Sequence, residues 1–249
     1  MLILGIDTAT PWGSVALAEE GEIIFEVSLK AAKGSGEYLI SLLERLFQKT
    51  GRRLDELNLI AAGVGPGSYT GIRVGLATVT GLTEGLQIPA FGINTLRIIA
   101  ENAHFSAKLV AAALEARHGE VYGALYRFNG NSAEELLPPR AIKAEQFATT
   151  LADWGPLVLC GDGGKHYRAV FEQVPGINLA PRYWDYPRAG LAAQIAGEEW
   201  PVVKTTEPPI LIPEYLKRVE AEIRLEEKRG GADNGSTNVC RGSGGCTRD

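Results

Sequence analysis

The sequence predicts an α/β protein built from two lobes that begin with the same pattern of strands. Residues 2–7 are typical of a buried strand ending in an acid, Asp7, and residues 108–115 repeat this pattern and end in Glu115. A hairpin follows each of these strands, and strands then alternate with helices. An internal repeat of this size predicts the duplicated actin-like, ribonuclease-H-type (ASKHA) fold, with a mixed sheet and helices in each lobe.

The first half carries signals for a three-stranded meander followed by alternating helices and strands. Ser35 is the expected cap of the first helix and Gly51 its expected stop. The predicted elements are strands at 2–7, 14–18 and 23–27, a helix at 36–49, a strand at 58–64, a helix at 70–86, a strand at 89–93 and a helix at 94–103.

The second half is predicted to open with strands at 108–115 and 121–126 and a hairpin turn at Asn129-Gly130-Asn131. From Gly230 onward the chain is rich in Gly, Ser, Asn and Asp and almost empty of aliphatic residues, which predicts disorder. We therefore expect an N-terminal, partner-binding lobe at 1–105, a C-terminal lobe at 106–218, and a charged helical extension with a disordered tail at 219–249.

Composition narrows the class of protein. The net charge of −5 and the pI near 5.4 argue against a protein that binds nucleic acid on its own, because phosphate binding relies on Lys and Arg patches. No apolar run approaches the ~20 residues of a membrane span, and the first residues lack the charged start of a signal peptide, so a cytoplasmic protein is expected. The 3 cysteines fit neither a disulfide framework nor a zinc pattern.

A glycine-rich stretch from Gly63 to Ala77 reads GVGPGSYTGIRVGLA and joins a predicted strand to a predicted helix. Its Gly-Pro-Gly is typical of a tight turn, and Ser68 or Thr70 can cap the helix that follows. A phosphate-binding loop of the Walker type is excluded, because no Lys follows Gly71.

This sequence has only part of the loop pattern by which actin-like ATPases bind nucleotide. The first loop, Asp7-Thr8-Ala9-Thr10, has the acid and hydroxyls, and Gly161-Asp162-Gly163-Gly164 keeps the outline of an adenosine-side loop. The second loop reads Glu115-Ala116-Arg117-His118, with bulky side chains where glycines are needed. We therefore predict no catalytic residue, no cofactor and no ATP hydrolysis by the chain alone, and expect Asp7 to cap its own turn.

Metal and protease chemistry are not favoured either. The histidines are His104, His118 and His166; none forms a metal-binding pair with another His or a Cys, and each is expected on the surface or in a loop. Ser68 superficially suggests a nucleophile elbow, but the second Gly of Gly-x-Ser-x-Gly is missing. We predict no metal site.

The helix predicted at 70–86 has two contrasting faces. A stripe of aliphatic residues is expected to face the core, and small residues cover the opposite side, where a solvated helix would show Lys and Glu. Two interpretations are open: a helix buried on both sides by its own chain, or a surface that receives a helix of a second protein. The core stripe is Ile72, Leu76, Val79, Leu82 and Leu86, and the small face is Val74, Ala77, Thr78, Gly81 and Gly85.

The helix predicted at 36–49 also has more apolar surface than a one-sided helix needs. Its stripe is Leu39, Ile40, Leu43, Leu46 and Phe47, extended by Tyr38 and Leu42. Two adjacent helices of this kind form a natural half of a four-helix interface. The candidate interface residues are Tyr38, Leu42, Arg45, Val74, Ala77, Thr78, Gly81 and Gly85.

Several motifs resemble the TsaB (YeaZ) family in the right order over roughly residues 1–218. They are PGSYTGIRVGLA at 66–77, LGIDTAT at 4–10, LEARHGEVY at 114–122, GDGG at 161–164 and PEYLKR at 213–218. The first is highly specific, whereas the GDGG motif alone would be weak.

The resemblance implies the actin-like fold and a non-catalytic role beside TsaD, the protein that transfers a threonylcarbamoyl group to N6 of the adenosine next to the anticodon in ANN-reading tRNAs. It implies pairing with TsaD through the two helices, homodimers that use the same surface, TsaE as an ATPase in the larger complex, and contact with tRNA only through that complex. The alternative is a catalytic ATPase or sugar-kinase-like enzyme of the same fold.

Overall fold

The computed structural model describes residues 1–30, 36–203 and 211–217, and two five-stranded mixed sheets form its framework. The predicted cap Ser35 and the predicted extension at 219–249 lie outside these residues. The strands are β1 (Leu2–Asp7), β2 (Trp12–Glu19), β3 (Glu22–Lys30), β4 (Leu59–Gly63), β5 (Ala90–Ile93), β6 (Leu109–Glu115), β7 (Glu120–Asn129), β8 (Ser132–Lys143), β9 (Leu157–Cys160) and β10 (Ile177–Leu179).

The two sheets have the same topology. The first has the order β3-β2-β1-β4-β5, and the second, read from its β8 edge, has the order β8-β7-β6-β9-β10. In each sheet the first three strands pair antiparallel and the last two run parallel to the central one. Strands β1 to β5 therefore correspond in order to strands β6 to β10. This repeat confirms the duplicated actin-like fold.

Seven α-helices lie within the described residues, and the predicted helices of the first half agree with them to within two residues. Gly51 ends α1 as expected, with a left-handed φ of +67° and an amide that donates to Phe47 O at 3.0 Å. The helices are α1 (Gly36–Thr50), α2 (Tyr69–Leu86), α3 (Thr95–Glu101), α4 (Ala144–Ala152), α5 (Asp162–His166), α6 (Arg168–Phe171) and α7 (Ala189–Val203).

Helices cover both faces of the first sheet. Successive side chains of its central strand point to opposite faces, so each face buries its own set. Leu4 and Ile6 of β1 face α1 and α2, and Ile3 faces α7. The amide of Ala189, at the start of α7, donates to Ser14 Oγ at 3.0 Å. A Cβ at Gly5 would lie 2.1 Å from Ala189 O, so this close approach of α7 requires a glycine on β1.

The last helix of each half of the chain packs against the sheet of the other half. Helix α3 follows the first sheet but packs its Leu96 and Ile99 against Val110 and Ala112 of the second. Helix α7 follows the second sheet but covers the first, with Trp200 buried beside Phe91. The far face of the second sheet packs on α4 and α6. The division into lobes at residue 105 stays a prediction, and this packing crosses it twice.

The apolar stripe predicted on α1 is only partly buried. The side chain of Ile40 is 57% exposed, while Leu39 and Leu46 are buried. Ile40 lies about 100° around the helix from Leu39, which places it beyond the edge of the stripe that the sheet covers.

Candidate functional site: strand-end loops and the outer face of two helices

The carboxyl group of Asp7 is buried, and each of its two oxygens accepts a hydrogen bond. It is 1% exposed; its Oδ1 accepts from Ala9 N at 2.9 Å, and its Oδ2 accepts from Thr95 Oγ1 at 3.3 Å. Burial raises the pKa of Asp7 to about 7, against the lowering effect of these hydrogen bonds. Asp7 therefore caps the turn after β1, as predicted.

The glycine-rich turn and the first turns of α2 press against that loop. A Cβ at Gly63 would lie 1.8 Å from Asp7 Oδ2, one at Gly71 would lie 2.1 Å from Thr8 O, and one at Gly75 would lie 2.3 Å from Thr8 Oγ1. Ser68 caps α2 through its Oγ, which accepts from Gly71 N at 3.2 Å. These glycines are thus explained by close packing of the chain on itself.

The second loop repeats the hydrogen bond of the first. Glu115 Oε1 accepts from Arg117 N at 2.7 Å, two residues on, just as Asp7 accepts from Ala9. Arg117 and His118 are exposed and adopt left-handed φ values of +59° and +55°. Side chains larger than glycine therefore occupy the positions at which a phosphate loop needs bare backbone.

The GDGG motif begins α5 and packs on the end of β6. Gly161 has a φ of +101°, and a Cβ there would lie 2.1 Å from Ala113 O. Asp162 Oδ1 accepts from Glu115 N at 3.0 Å, and burial raises the pKa of Asp162. Burial likewise raises the pKa of Asp185 to about 6, with Lys165 Nζ 3.5 Å from Asp185 Oδ1.

Of the predicted loop histidines, His118 and His166 are exposed, but the side chain of His104 is only 8% exposed in the turn after α3. Among the residues that the structure describes, no three His, Cys, Asp or Glu side chains cluster in a way that could hold a metal ion. None of the helices within those residues has the length and apolar character to cross a bilayer.

The outer face of α2 is uncovered by the described residues. Gly81 and Gly85 are exposed, and a Cβ at either would have no atom within 4 Å. Ala77 is exposed too, and Val74 and Thr78 are half-buried. The interpretation in which this face is buried by the chain's own folding is therefore wrong as far as the described residues go.

Helix α1 lies beside α2 over a shared core and adds apolar surface to the same region. Tyr38 is 38% exposed, Arg45 is exposed and Leu42 is half-buried. Their role in an interface stays a prediction, as does that of the α2 residues.

Sequence reasoning missed an aromatic cluster at the N-terminal end of α2. The ring centroid of Tyr69 lies 4.9 Å from that of Tyr215 and 5.1 Å from the guanidinium carbon of Arg73. The amide of Glu214 donates to Val64 O at 2.8 Å, and a Cβ at Gly65 would lie 2.7 Å from Glu214 O, so Glu214 packs on the glycine-rich turn. The sequence shows the PEYLKR motif, but it does not show that Tyr215 of this motif contacts Tyr69 in the folded chain.

Comparison with known proteins agrees with this architecture. Residues 27–225 match the model of a family described as TsaD, tRNA N6-adenosine threonylcarbamoyltransferase. The Escherichia coli K12 tRNA threonylcarbamoyladenosine biosynthesis protein TsaB is 33% identical over 162 residues, which span 62% of this chain and 69% of that protein. The chain belongs to the TsaB (YeaZ) group of this family.

Other TsaB relatives extend the match along the chain. The Bacillus subtilis TsaB is 27% identical over 241 residues, covering 92% of this chain and all of that protein. The solved structure of YeaZ from Pseudomonas aeruginosa is 28% identical, with a TM-score of 0.77 over 86% of this chain and 99% of that one. Another solved structure, with a TM-score of 0.75, is described as an uncharacterized protein with similarity to peptidase YEAZ. The similarity to TsaB and YeaZ proteins thus extends over most of the chain.

Proposed function

We propose that this chain is a non-catalytic subunit that binds and supports TsaD in the formation of N6-threonylcarbamoyladenosine in tRNA. The single observation that carries the proposal is the open outer face of α2, where Gly81 and Gly85 are exposed and a Cβ at either would meet no atom of the described residues within 4 Å. A glycine inside a helix costs roughly 0.5–1 kcal/mol relative to Ala, and no contact with the described part of the chain offsets that cost for these two.

A partner helix supplies the missing compensation. Gly81 and Gly85 are four residues apart and so lie on one face of α2, next to Ala77. Small side chains let two helices approach to the 8–10 Å of packed pairs. Tyr38 and Arg45 on the neighbouring helix α1 are exposed and are residue types enriched at protein interfaces. The same surface would serve a homodimer when TsaD is absent.

The loops support a non-catalytic role for this chain. The Asp7 carboxylate is buried and already accepts two hydrogen bonds. Arg117 and His118 stand in the second loop where a nucleotide phosphate would need bare backbone. In this proposal TsaD carries out the transfer to the adenosine beside the anticodon of ANN-reading tRNAs, TsaE joins as an ATPase, and the assembly acts in the cytoplasm.

Replacing Gly81 by Leu tests the proposed interface. The substitution improves helix propensity and meets no atom of the described chain, so the melting temperature should stay at or above that of the parent. The added side chain should push a partner helix away, and co-purification with TsaD should be lost.

Thr80→Leu is the matched control for this variant. Thr80 is exposed and lies one residue away on the same helix, about 100° around from Gly81. It should melt like the parent and still bind TsaD. A Gly81→Leu protein that is stable and binds TsaD as well as Thr80→Leu does would overturn the docking proposal.

Titration of the chain with magnesium-ATP separates the proposal from an ATPase or a sugar-kinase-like enzyme. We expect no appreciable turnover, because the second loop carries Arg117 and His118 in place of glycines. Sustained, magnesium-dependent hydrolysis that disappears in Asp7→Ala would establish the enzyme instead.

A further inference from the structure

A column of three stacked rings lies beside an open cavity of about 360 Å³, away from the loops and the helix face described above. Phe128 of β7 stacks on His104, with ring centroids 4.5 Å apart and an angle of 25°. His104 stacks on Phe105, with centroids 4.3 Å apart and an angle of 11°. The column ends at Phe105, which is 90% exposed.

Hydrogen bonds on both edges fix the middle ring. His104 Nδ1 lies 2.6 Å from Glu101 Oε1, and Nε2 contacts the carbonyl oxygen of Gly130. Contacts to both ring nitrogens therefore hold the imidazole by its two edges. Glu101 also pairs with Arg97, whose guanidinium carbon lies 5.2 Å from the centroid of the Phe128 ring. The ring under Phe105 is therefore held in place, beside the Arg97–Glu101 ion pair.

The wall of the cavity adds a lysine. Lys108 is exposed and lines the cavity together with Phe105, Ser106 and Gly130. Its ammonium group has no ion-pair partner among the residues that the structure describes. An aromatic face with one open side and a lysine therefore share one concave site.

We propose that this site binds one nucleotide of a single-stranded RNA segment, with the base stacked on the open face of Phe105 and a phosphate paired with Lys108. Aromatic stacking combined with a nearby cation is how proteins hold single-stranded nucleic acid without reading its sequence. A volume of about 360 Å³ lies within the range of small-molecule sites. The net charge of −5 restricts the contact to a weak one that salt weakens further.

This contact goes beyond the docking of TsaD and does not depend on it, because it lies on the second sheet and on the turn after α3. Its failure would leave the TsaD interface untouched, and loss of TsaD binding in Gly81→Leu would leave this site intact. The full chain in isolation is therefore the right material for the test.

The ring protons of His104 report on the site by NMR. The chain has 3 histidines, and Gln variants of the exposed His118 and His166 assign the remaining signals to His104. The probes are a short single-stranded adenosine oligoribonucleotide, AMP, adenosine and ribose 5-phosphate. We expect the oligonucleotide and AMP to shift the His104 signals, adenosine to do so more weakly, and ribose 5-phosphate not to do so.

Substitutions at two residues distinguish binding of the base from binding of the phosphate. Phe105→Ala should weaken binding of the oligonucleotide roughly tenfold, and Phe105→Trp should retain it. Lys108→Gln should weaken binding of the oligonucleotide and AMP but leave adenosine unchanged. Tyr183→Ala is the matched control, because Tyr183 is another aromatic residue with 62% exposure and lies outside the cavity. Melting curves should be unchanged in all four variants.

Several results would overturn the proposal. These are the absence of any shift with the oligonucleotide, equal shifts with ribose 5-phosphate, or unchanged oligonucleotide binding in Phe105→Ala. A response to AMP alone would identify a site for a free nucleotide in place of RNA. Loss of TsaD co-purification in Phe105→Ala, without any nucleotide binding, would assign the patch to a protein partner.

Discussion

At the scale of single residues, Asp7 shows how a carboxylate at a strand end can be retained for structure. It is almost completely buried, its two oxygens accept from Ala9 and Thr95, and a Cβ at Gly63 would collide with it. No ion pair of Asp7 is present among the described residues, so desolvation is the dominant effect on its ionisation. The cost of burying this group should therefore depend on pH.

Replacing Asp7 by Asn should remove that dependence. The pKa of Asp7 is about 7 in the folded chain against an ordinary value of 3.8, so between these pH values the folded chain holds a proton that the unfolded chain has released. Through this window the free energy of unfolding falls as pH rises, by up to about 1.4 kcal/mol per pH unit from this one group. Asp7→Asn should flatten the profile and be more stable than the parent at pH 8.

Urea unfolding at pH 5 and pH 8 measures this difference. Asp55→Asn is the control, because Asp55 is exposed and its pKa is lowered by Arg53, so its loss should not flatten the profile. An Asp7→Asn protein with the same change in unfolding free energy between the two pH values as the parent would contradict the prediction.

At the scale of elements, α2 contains glycines of two kinds. Near its start, Gly71 faces the Thr8 carbonyl oxygen, and near its end Gly85 faces open space. Sequence alone does not show which of the two has a close neighbour, because both interrupt a helical pattern in the same way.

Alanine substitutions should separate them. Gly71→Ala should lower the free energy of unfolding by about 1–3 kcal/mol, because its Cβ would lie 2.1 Å from backbone that cannot easily move. Gly85→Ala should raise it by about 0.5–1 kcal/mol, because Ala is the better helix former and nothing obstructs it. Chemical denaturation of both variants measures the pair, and equal effects would refute the distinction.

The elements that the sequence predicts well are those with a local signature. Gly51, Ser68 and Gly130 mark the end of α1, the start of α2 and the turn between β7 and β8, and each depends on neighbours a few residues away. The burial of His104 is not predictable in this way, because it depends on Phe128 and on the Gly130 carbonyl, which are distant in sequence. The contact between Tyr69 and Tyr215 is hidden from the sequence for the same reason.

The candidate interface likewise has one part that the local sequence predicts and one part that depends on distant residues. The small face of α2 follows from helical periodicity alone, so the sequence is enough to single out Gly81 and Gly85. That no described part of the chain covers them is a tertiary fact. Conversely, the pattern of α3 indicates a buried face but not which sheet it meets.

At the scale of the whole molecule, the crossing of α3 and α7 joins the two sheets into one cooperative unit. Trp200→Ala removes a side chain of α7 that is 7% exposed and packs edge-on against Phe91 of the first sheet. Substitutions of this type cost about 3–5 kcal/mol. We expect calorimetry to show a single transition at a lower temperature, with both sheets melting together.

Tyr183→Ala serves as the control, since an aromatic residue with 62% exposure should shift the transition little. Two resolved transitions in Trp200→Ala, with one at the parent temperature, would show that the sheets unfold independently.

Because α3 and α7 each pack on the other repeat's sheet, we expect neither repeat to fold as a separate fragment. Helix α3 follows β5 and helix α7 follows β10, so the two occupy equivalent positions in the repeat, and each covers the other repeat's sheet. A single repeat made as a fragment would expose one bare sheet face and one unattached helix. Two separate repeats could satisfy both needs only by exchanging those helices. The chain is in this sense a domain-swapped dimer whose subunits are joined by a peptide bond.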